Sequence, residues 1–383
     1  MGRISNIVIR FVNNTNTFQP GQLVTGHVEL QLNKPTKIFS VSIKLHGECK
    51  TKWYTGSDKE KTYKEKEVYS SQELILWGGV RNQFVKLPKG NATKEFFFQL
   101  PDNCPSSFIS KHGSIFYHVQ VACKASGYSH TLDVPKAFMV YDVVELSPSE
   151  LFYYPAQLKA QAHDECCCCN KIDAKIDITI DKSAYSPGDK VIVNGYIDNG
   201  SNRQLPFTII LRQNVTCYGR RADFSLMSSG NLKSKEKLND VAIWEGVPVG
   251  PRSRKNFSNQ ETMTIPTLVA SNLRYCKFIS VAYFITIRST MQSAMGNTEL
   301  VAKPVDIVIG HRGLPDYSTL DQLEPSAPPG FDLAVPDYEE DEQYPSDPPP
   351  DFEAALELDD QHSPPPTYQE AIQKVDTIPS TSL

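Results

Sequence analysis

Phe18-Gln19-Pro20-Gly21-Gln22 and Tyr185-Ser186-Pro187-Gly188-Asp189 are the stretches on which the fold turns. An aromatic followed two residues on by Pro-Gly makes a good turn between strands: Pro presets the first turn position and Gly accepts a positive φ at the next. One such turn says little by itself. These two stand 167 residues apart, and their surroundings repeat in step. Ser42-Ile43-Lys44-Leu45 returns as Thr208-Ile209-Ile210-Leu211 at an offset of 166, and Leu100-Pro101 as Ile265-Pro266 at 165. Tyr117, Val119 and Val121 return as Tyr283, Ile285 and Ile287, again at 166. Four correspondences in one order describe one domain written twice. The boundaries this gives are 1–150 and 172–311, with a linker at 151–171 and a tail at 312–383.

Within the repeats, short runs alternate apolar with polar residues. Ile7-Val8-Ile9-Arg10-Phe11, Val24 to Leu30, Ser40 to Leu45 and Phe116 to Val121 each read as half-buried strands, with Asn, Gly and Pro clusters between them. Long helical periodicity is absent. An all-β fold of antiparallel sheets packed as sandwiches is the expectation. Lys59-Glu60-Lys61 and Lys64-Glu65-Lys66-Glu67 read as a solvated hairpin.

Charge divides the 383 residues unevenly. From His311 onward there are 17 acidic residues against Arg312 and Lys374, a net of −15. The chain as a whole carries −5, which leaves Met1–Gly310 at +10. A basic body suits acidic phospholipid head groups or acidic receptor segments, and equally a solvated mixed surface. It carries no interleaved basic and aromatic motif of a nucleic-acid reader. Of the 27 prolines, 13 follow residue 310. An acidic, proline-rich tail with few large aliphatics cannot bury enough apolar surface to offset its chain entropy, so it is expected to be disordered.

The opening MGRISNIVIRF lacks an apolar signal region, and no run of 18 apolar residues occurs. Asn6 stands where N-myristoylation needs Ser or Thr. A cytoplasmic chain with nine free thiols is the expectation. Four of these are consecutive, Cys166, Cys167, Cys168 and Cys169. Adjacent cysteines point in alternating directions, so zinc is a poor reading. S-acylation is the candidate modification, which would anchor the linker to a membrane surface. The alternative is an unmodified linker. GxSxG, HExxH, GxGxxG and P-loop patterns are all missing, and the eight histidines are scattered. No catalytic, cofactor or metal site is expected, and no enzyme.

The aromatic-x-Pro-Gly turn followed by a Val/Gly strand resembles the arrestin N-domain, as does Phe98-Gln99-Leu100-Pro101 with Pro105-Ser106-Ser107-Phe108 and Ile115-Phe116-Tyr117. Tyr185 to Asp189, Trp244-Glu245-Gly246 and the closing run Val305 to Gly310 are similar to the arrestin C-domain. The resemblance is to the α-arrestin (arrestin-domain-containing) family. It implies two tandem immunoglobulin-like sandwiches of seven to eight strands, with membrane-protein cargo, a receptor or transporter, held by loops and a concave face.

The tail adds short linear motifs. Ser363-Pro364-Pro365-Pro366-Thr367-Tyr368 contains PPxY, which a WW domain takes with aromatic slots for the prolines and a pocket for the tyrosine. The prolines hold the chain near polyproline II before binding, so little ordering entropy remains to be lost. Pro365, Pro366 and Tyr368 are the WW-binding residues, and the family resemblance points to a HECT-type E3 ubiquitin ligase as partner. Pro328-Pro329-Gly330-Phe331 and Pro349-Pro350-Asp351-Phe352 are weaker copies with Phe for Tyr. Pro325-Ser326-Ala327-Pro328 matches the PSAP ligand of an ESCRT-I UEV domain. The leading expectation is an adaptor that promotes ubiquitination, endocytosis and sorting of cargo, peripheral at plasma membrane and endosomes. An ESCRT-I-recruiting trafficking or budding scaffold is the alternative.

Overall fold

The computed structural model describes residues 3–55, 61–78, 84–126, 132–144, 146, 155–164, 172–222, 231–293 and 296–310. The first repeat contributes β1 (Ile4–Phe11), β2 (Thr17–Phe18), β3 (Leu23–Leu32), β4 (Thr36–Thr55), β5 (Lys61–Gly78), β6 (Val85–Leu87), β7 (Gly90–Gln99), β8 (Phe108–Ile109), β9 (Gly113–Ala125) and β10 (Leu132–Val140). The second contributes β11 (Ala156–Asp164), β12 (Ile172–Ile180), β13 (Ala184–Tyr185), β14 (Lys190–Asn199), β15 (Leu205–Arg221), β16 (Lys233–Val249), β17 (Ser253–Thr264), β18 (Ile279–Ser293), β19 (Gly296–Val301) and β20 (Val305–Ile309). The strands read from the alternating runs all form. Several further strands are only two or three residues long, which is why the resemblance implied fewer. β11 lies within the stretch expected to be linker and pairs along its length with β12. Its alternation is carried largely by alanines, so its apolar face has too little contrast to announce a strand.

Two sandwiches result. In the first, β1-β3-β7 shares its core with β5-β4-β9-β10-β2; in the second, β11-β12-β14-β17 shares its core with β15-β18-β20-β13. Strand alternation puts Val24, Val28 and Leu30 of β3 on the same core as Ile43 and Leu45 of β4, all fully buried. Phe11, Phe18, Phe96 and Phe138 meet edge to face at 5.4–6.4 Å between ring centres. That geometry suits the ring quadrupoles and adds to about 2 kcal/mol of burial for each ring.

The repeat extends to individual hydrogen bonds. Gly21 and Gly188 both take left-handed backbone, at φ 75 and 88, as a Pro-Gly turn requires. The residue after each closes the same turn, Gln22 N to Gln19 O and Asp189 N to Ser186 O, both 3.0 Å. Each turn then ties to the incoming strand, through Leu100 N to Gln22 O and Ile265 N to Asp189 O. Val140 beside Phe18 and Ile309 beside Tyr185 make the equivalent short parallel pairings. The hydroxyl of Tyr117 donates to Pro105 O at 2.8 Å, and that of Tyr283 to Val269 O at 2.9 Å.

Candidate functional site

The sequence reading of Lys59 to Glu67 as a solvated hairpin is corrected by the structure for its described part. β4 has 20 residues and β5 has 18, against about 5–6 for an ordinary strand. The excess length projects beyond the first sandwich and docks on the second. Tyr63 and Lys64 pair antiparallel with Arg221 and Arg220 of β15, so the two main sheets become one continuous sheet. Ala222 N donates to Thr62 O at 2.8 Å, and Thr51 Oγ1 to Tyr218 O at 2.7 Å. Trp53 stacks on Tyr63 with the rings 5.5 Å apart and lies against Gly219, where a Cβ would sit 2.8 Å from the indole. Charges close the flanks: Arg220 to Glu65 at 2.6 Å and Lys277 to Glu67 at 2.9 Å. The alternating Lys/Glu run is thus half a seam. Lys66 reaches Glu48 on the outward face, while Glu65 and Glu67 turn to the partner domain.

A second contact joins the domains. Ser106 and Ser107, part of the motif singled out in the sequence, accept the N–H groups of Asp142 and Val140, each at 2.9 Å. They fix the segment leaving β10. Asp142, buried there, then receives Arg274 of the second domain at 2.8 and 3.1 Å. Two parallel bonds to one carboxylate hold orientation as well as distance. Sequence reasoning missed Asp142 and Arg274, because a single charge in a connecting segment belongs to no period.

Beside the seam, on the outward face of β4, sits a nearly buried carboxylate. Burial alone would push the Glu48 carboxyl up. Hydrogen bonds from His46, Lys50 and Lys66 outweigh it and hold it at about 2. His118, packed against His46, is pushed down to about 4 by burial and by that neighbour. At the other end of β4, Arg3, Lys34, Lys37 and Lys86 line a cleft of about 550 Å³. Exposed Phe39, Phe84 and Val85 adjoin it, with the Lys37 ammonium 4.3 Å above the Phe84 ring. Four cations beside exposed apolar side chains form a surface suited to anionic, partly apolar partners.

The sites read from the tail and linker, namely Pro365, Pro366 and Tyr368, Pro325 to Pro328, and Cys166 to Cys169, lie outside the described residues. Among the described residues no group of His, Cys, Asp or Glu is arranged to hold a metal. None of their helices is long and apolar enough to cross a membrane.

Two tandem sandwiches repeating one hydrogen-bond frame define a class, and the comparisons name it. The arrestin (or S-antigen) N-terminal domain family matches residues 7–147, and the arrestin (or S-antigen) C-terminal domain family matches residues 170–313. Arrestin domain-containing protein 17 of Caenorhabditis elegans is 23% identical over 331 residues, 84% of this chain and 73% of its own length. Arrestin domain-containing protein 1 of Mus musculus is 22% identical over 339 residues, covering 86% and 72%. Arrestin domain-containing protein 5 of Bos taurus is 28% identical over 188 residues, 48% of this chain and 56% of its own length. The chain belongs to the arrestin family, on its arrestin-domain-containing (α-arrestin) branch. Proteins of the arrestin family are adaptors rather than enzymes, and the arrestin-domain-containing relatives suggest an arrestin-like trafficking adaptor.

Proposed function

We propose that the chain links membrane-protein cargo to a WW-domain HECT-type E3 ubiquitin ligase. The observation that carries this reading is Pro365-Pro366-Thr367-Tyr368, a PPxY motif in an acidic, proline-rich tail behind two arrestin domains. The sandwiches hold the cargo, the motif holds the ligase, and the joint between the sandwiches keeps the cargo surface in one geometry. The ligase supplies the catalysis. The adaptor supplies proximity, raising the local concentration of cargo lysines at the ligase, and ubiquitinated cargo is then endocytosed and sorted. Peripheral contact with plasma and endosomal membranes comes from S-acylation at Cys166 to Cys169, together with the basic cleft at Arg3, Lys34, Lys37 and Lys86. Pro325-Ser326-Ala327-Pro328 favours a second output, ESCRT-I recruitment through a UEV domain.

The test is binding of the full chain to tandem WW domains of a HECT-type ligase and, separately, to a UEV domain. Tyr368→Ala and Pro366→Ala each lower WW affinity at least about tenfold, the equivalent of about 1.4 kcal/mol. Pro325→Ala with Pro328→Ala removes UEV binding and leaves WW binding intact. Undiminished WW binding by Tyr368→Ala overturns the ligase reading.

A further inference from the structure

At the heart of the seam two cysteines from different domains face each other. Cys49, buried on β4, and Cys276, partly exposed just before β18, have their sulfurs 3.7 Å apart. They are 227 residues apart in sequence, and only the docking of the β4–β5 arm brings them together. The backbone aims one at the other. Tyr275 adopts left-handed φ of 68, uncommon for a bulky residue, and Cys276 N bonds back to Leu273 O at 3.2 Å. The turn thereby directs Cys276 inward, into the seam. Glu65 and Glu67 on β5, paired with Arg220 and Lys277, flank the same joint.

We propose that Cys49 and Cys276 are a disulfide-forming site, a modification site at which peroxide ties the two arrestin domains to each other. Sulfurs already in contact at 3.7 Å have little further to move to reach the roughly 2.05 Å of a bond. The two thiols are also unequal. The facing Cys49 thiol, the Tyr69 hydroxyl and the N–H groups of Phe278 and Ile279 stabilise the Cys276 thiolate against its burial and hold it below the usual thiol range. Cys49 is pushed up by the same pairing and by burial. Cys276 is therefore the attacking sulfur and Cys49 the resolving one.

The step balances with hydrogen peroxide as oxidant. The Cys276 thiolate attacks one peroxide oxygen, the O–O bond breaks, and the departing hydroxide takes a proton to become water. Cys276 is left as sulfenic acid. The Cys49 sulfur then attacks the Cys276 sulfur, the S–O bond breaks, and the leaving hydroxide carries off the Cys49 proton as a second water. Two thiols and one peroxide become one disulfide and two waters. The thiols lose two electrons and the peroxide gains them. Cys217, close by in the seam, is buried with its thiol pushed up by that burial, and Cys123 and Cys104 are each pushed up to about 11 in the same way. None of the three competes as a nucleophile.

The experiment titrates the reduced full chain with hydrogen peroxide, blocks remaining thiols, digests without reductant and maps cross-links by mass spectrometry. A peptide linking Cys49 to Cys276 accumulates ahead of any other cross-link, and dithiothreitol removes it. The melting temperature rises by at least about 2 °C on oxidation, because the bond closes a long loop across two domains. In Cys49→Ser, Cys276 accumulates as sulfenic acid that a dimedone probe labels. Recovery of Cys49 and Cys276 as separate alkylated peptides from the oxidised wild type overturns the proposal. So does preferential linkage to Cys217 or to Cys166 to Cys169. The wild-type map decides the matter even if a variant fails to fold.

Discussion

The first sandwich and the second share a hydrogen-bond frame and differ in what fills it. Phe11, Phe18, Phe96 and Phe138 make an aromatic core in the first. In the second, Ile176, Ile178, Val193, Ile209, Ile285 and Ile287 make a mainly aliphatic one, with Tyr185 in place of Phe18 and Phe207 meeting Phe257 edge to face at 5.7 Å. At the centre of each main sheet a buried tyrosine stands opposite a different partner in the same register. Tyr117 lies over Gly47, where a Cβ would fall 2.4 Å from the ring. Tyr283 receives a hydrogen bond from Gln213 at 3.0 Å. The turn is conserved in its bonding even where its residues are not, since Gln19 N bonds Gln22 Oε1 in one domain and Ser186 N bonds Asp189 Oδ2 in the other. The lesson is that turns and tyrosine hydroxyls specify this fold, while the core needs only apolar volume of the right shape. That division also accounts for how relatives at 22–28% identity keep the domains recognisable.

Three experiments sharpen the comparison. Ile43→Ala and Ile209→Ala truncate equivalent, fully buried positions on β4 and β15, and each should cost about 3 kcal/mol in urea unfolding. Because the sheets are continuous through β5 and β15, both variants should shift one common transition. Movement of only half the circular-dichroism amplitude would show the joint to be weak.

Acid should separate the domains next. Glu48 is held at about 2 against an ordinary 4.5, so its contribution is fully present above pH 4.5 and is lost as pH falls towards 2. The linked stability is about 3 kcal/mol at the upper bound. The equivalent position in the second domain is Asn214, which cannot ionise. Glu48→Gln should therefore flatten the stability profile between pH 4.5 and 2, as read by chemical denaturation across that range. An unchanged acid slope would remove Glu48 as its source.

Smaller effects come from the tyrosine partners. Gly47→Ala should destabilise by about 2 kcal/mol, because the new methyl group meets a ring packed on all sides. Gln213→Ala should cost about 1 kcal/mol, since Tyr283 keeps its bond to Val269 O. Equal losses from the two would mean that ring crowding and a lost donor cannot be told apart here.

Much of this was legible in the sequence, for local reasons. The two Pro-Gly turns and the recurrence of Tyr117 as Tyr283 announced the duplication, because a turn needs particular residue types at adjacent positions. The joint was not. Lys64 to Glu67 carries a charge pattern that fits a solvated hairpin, and nothing local tells that Tyr63 and Lys64 will pair with β15. Asp142 with Arg274 and Cys49 with Cys276 are brought together only by folding, across 132 and 227 residues. β11 was hidden by small side chains whose burial depends on β12 beside them.

The central claim is that a proline-braced segment offers Tyr368 to a partner independently of the folded pair of domains. The direct measurement compares the affinity of one isolated WW domain for a synthetic peptide spanning residues 363–371 with its affinity for the full chain. The account predicts agreement within about threefold, with both losing binding on Tyr368→Ala. Binding to the full chain at least about tenfold weaker than to the peptide would contradict it, because Tyr368 would then be held against the body rather than offered.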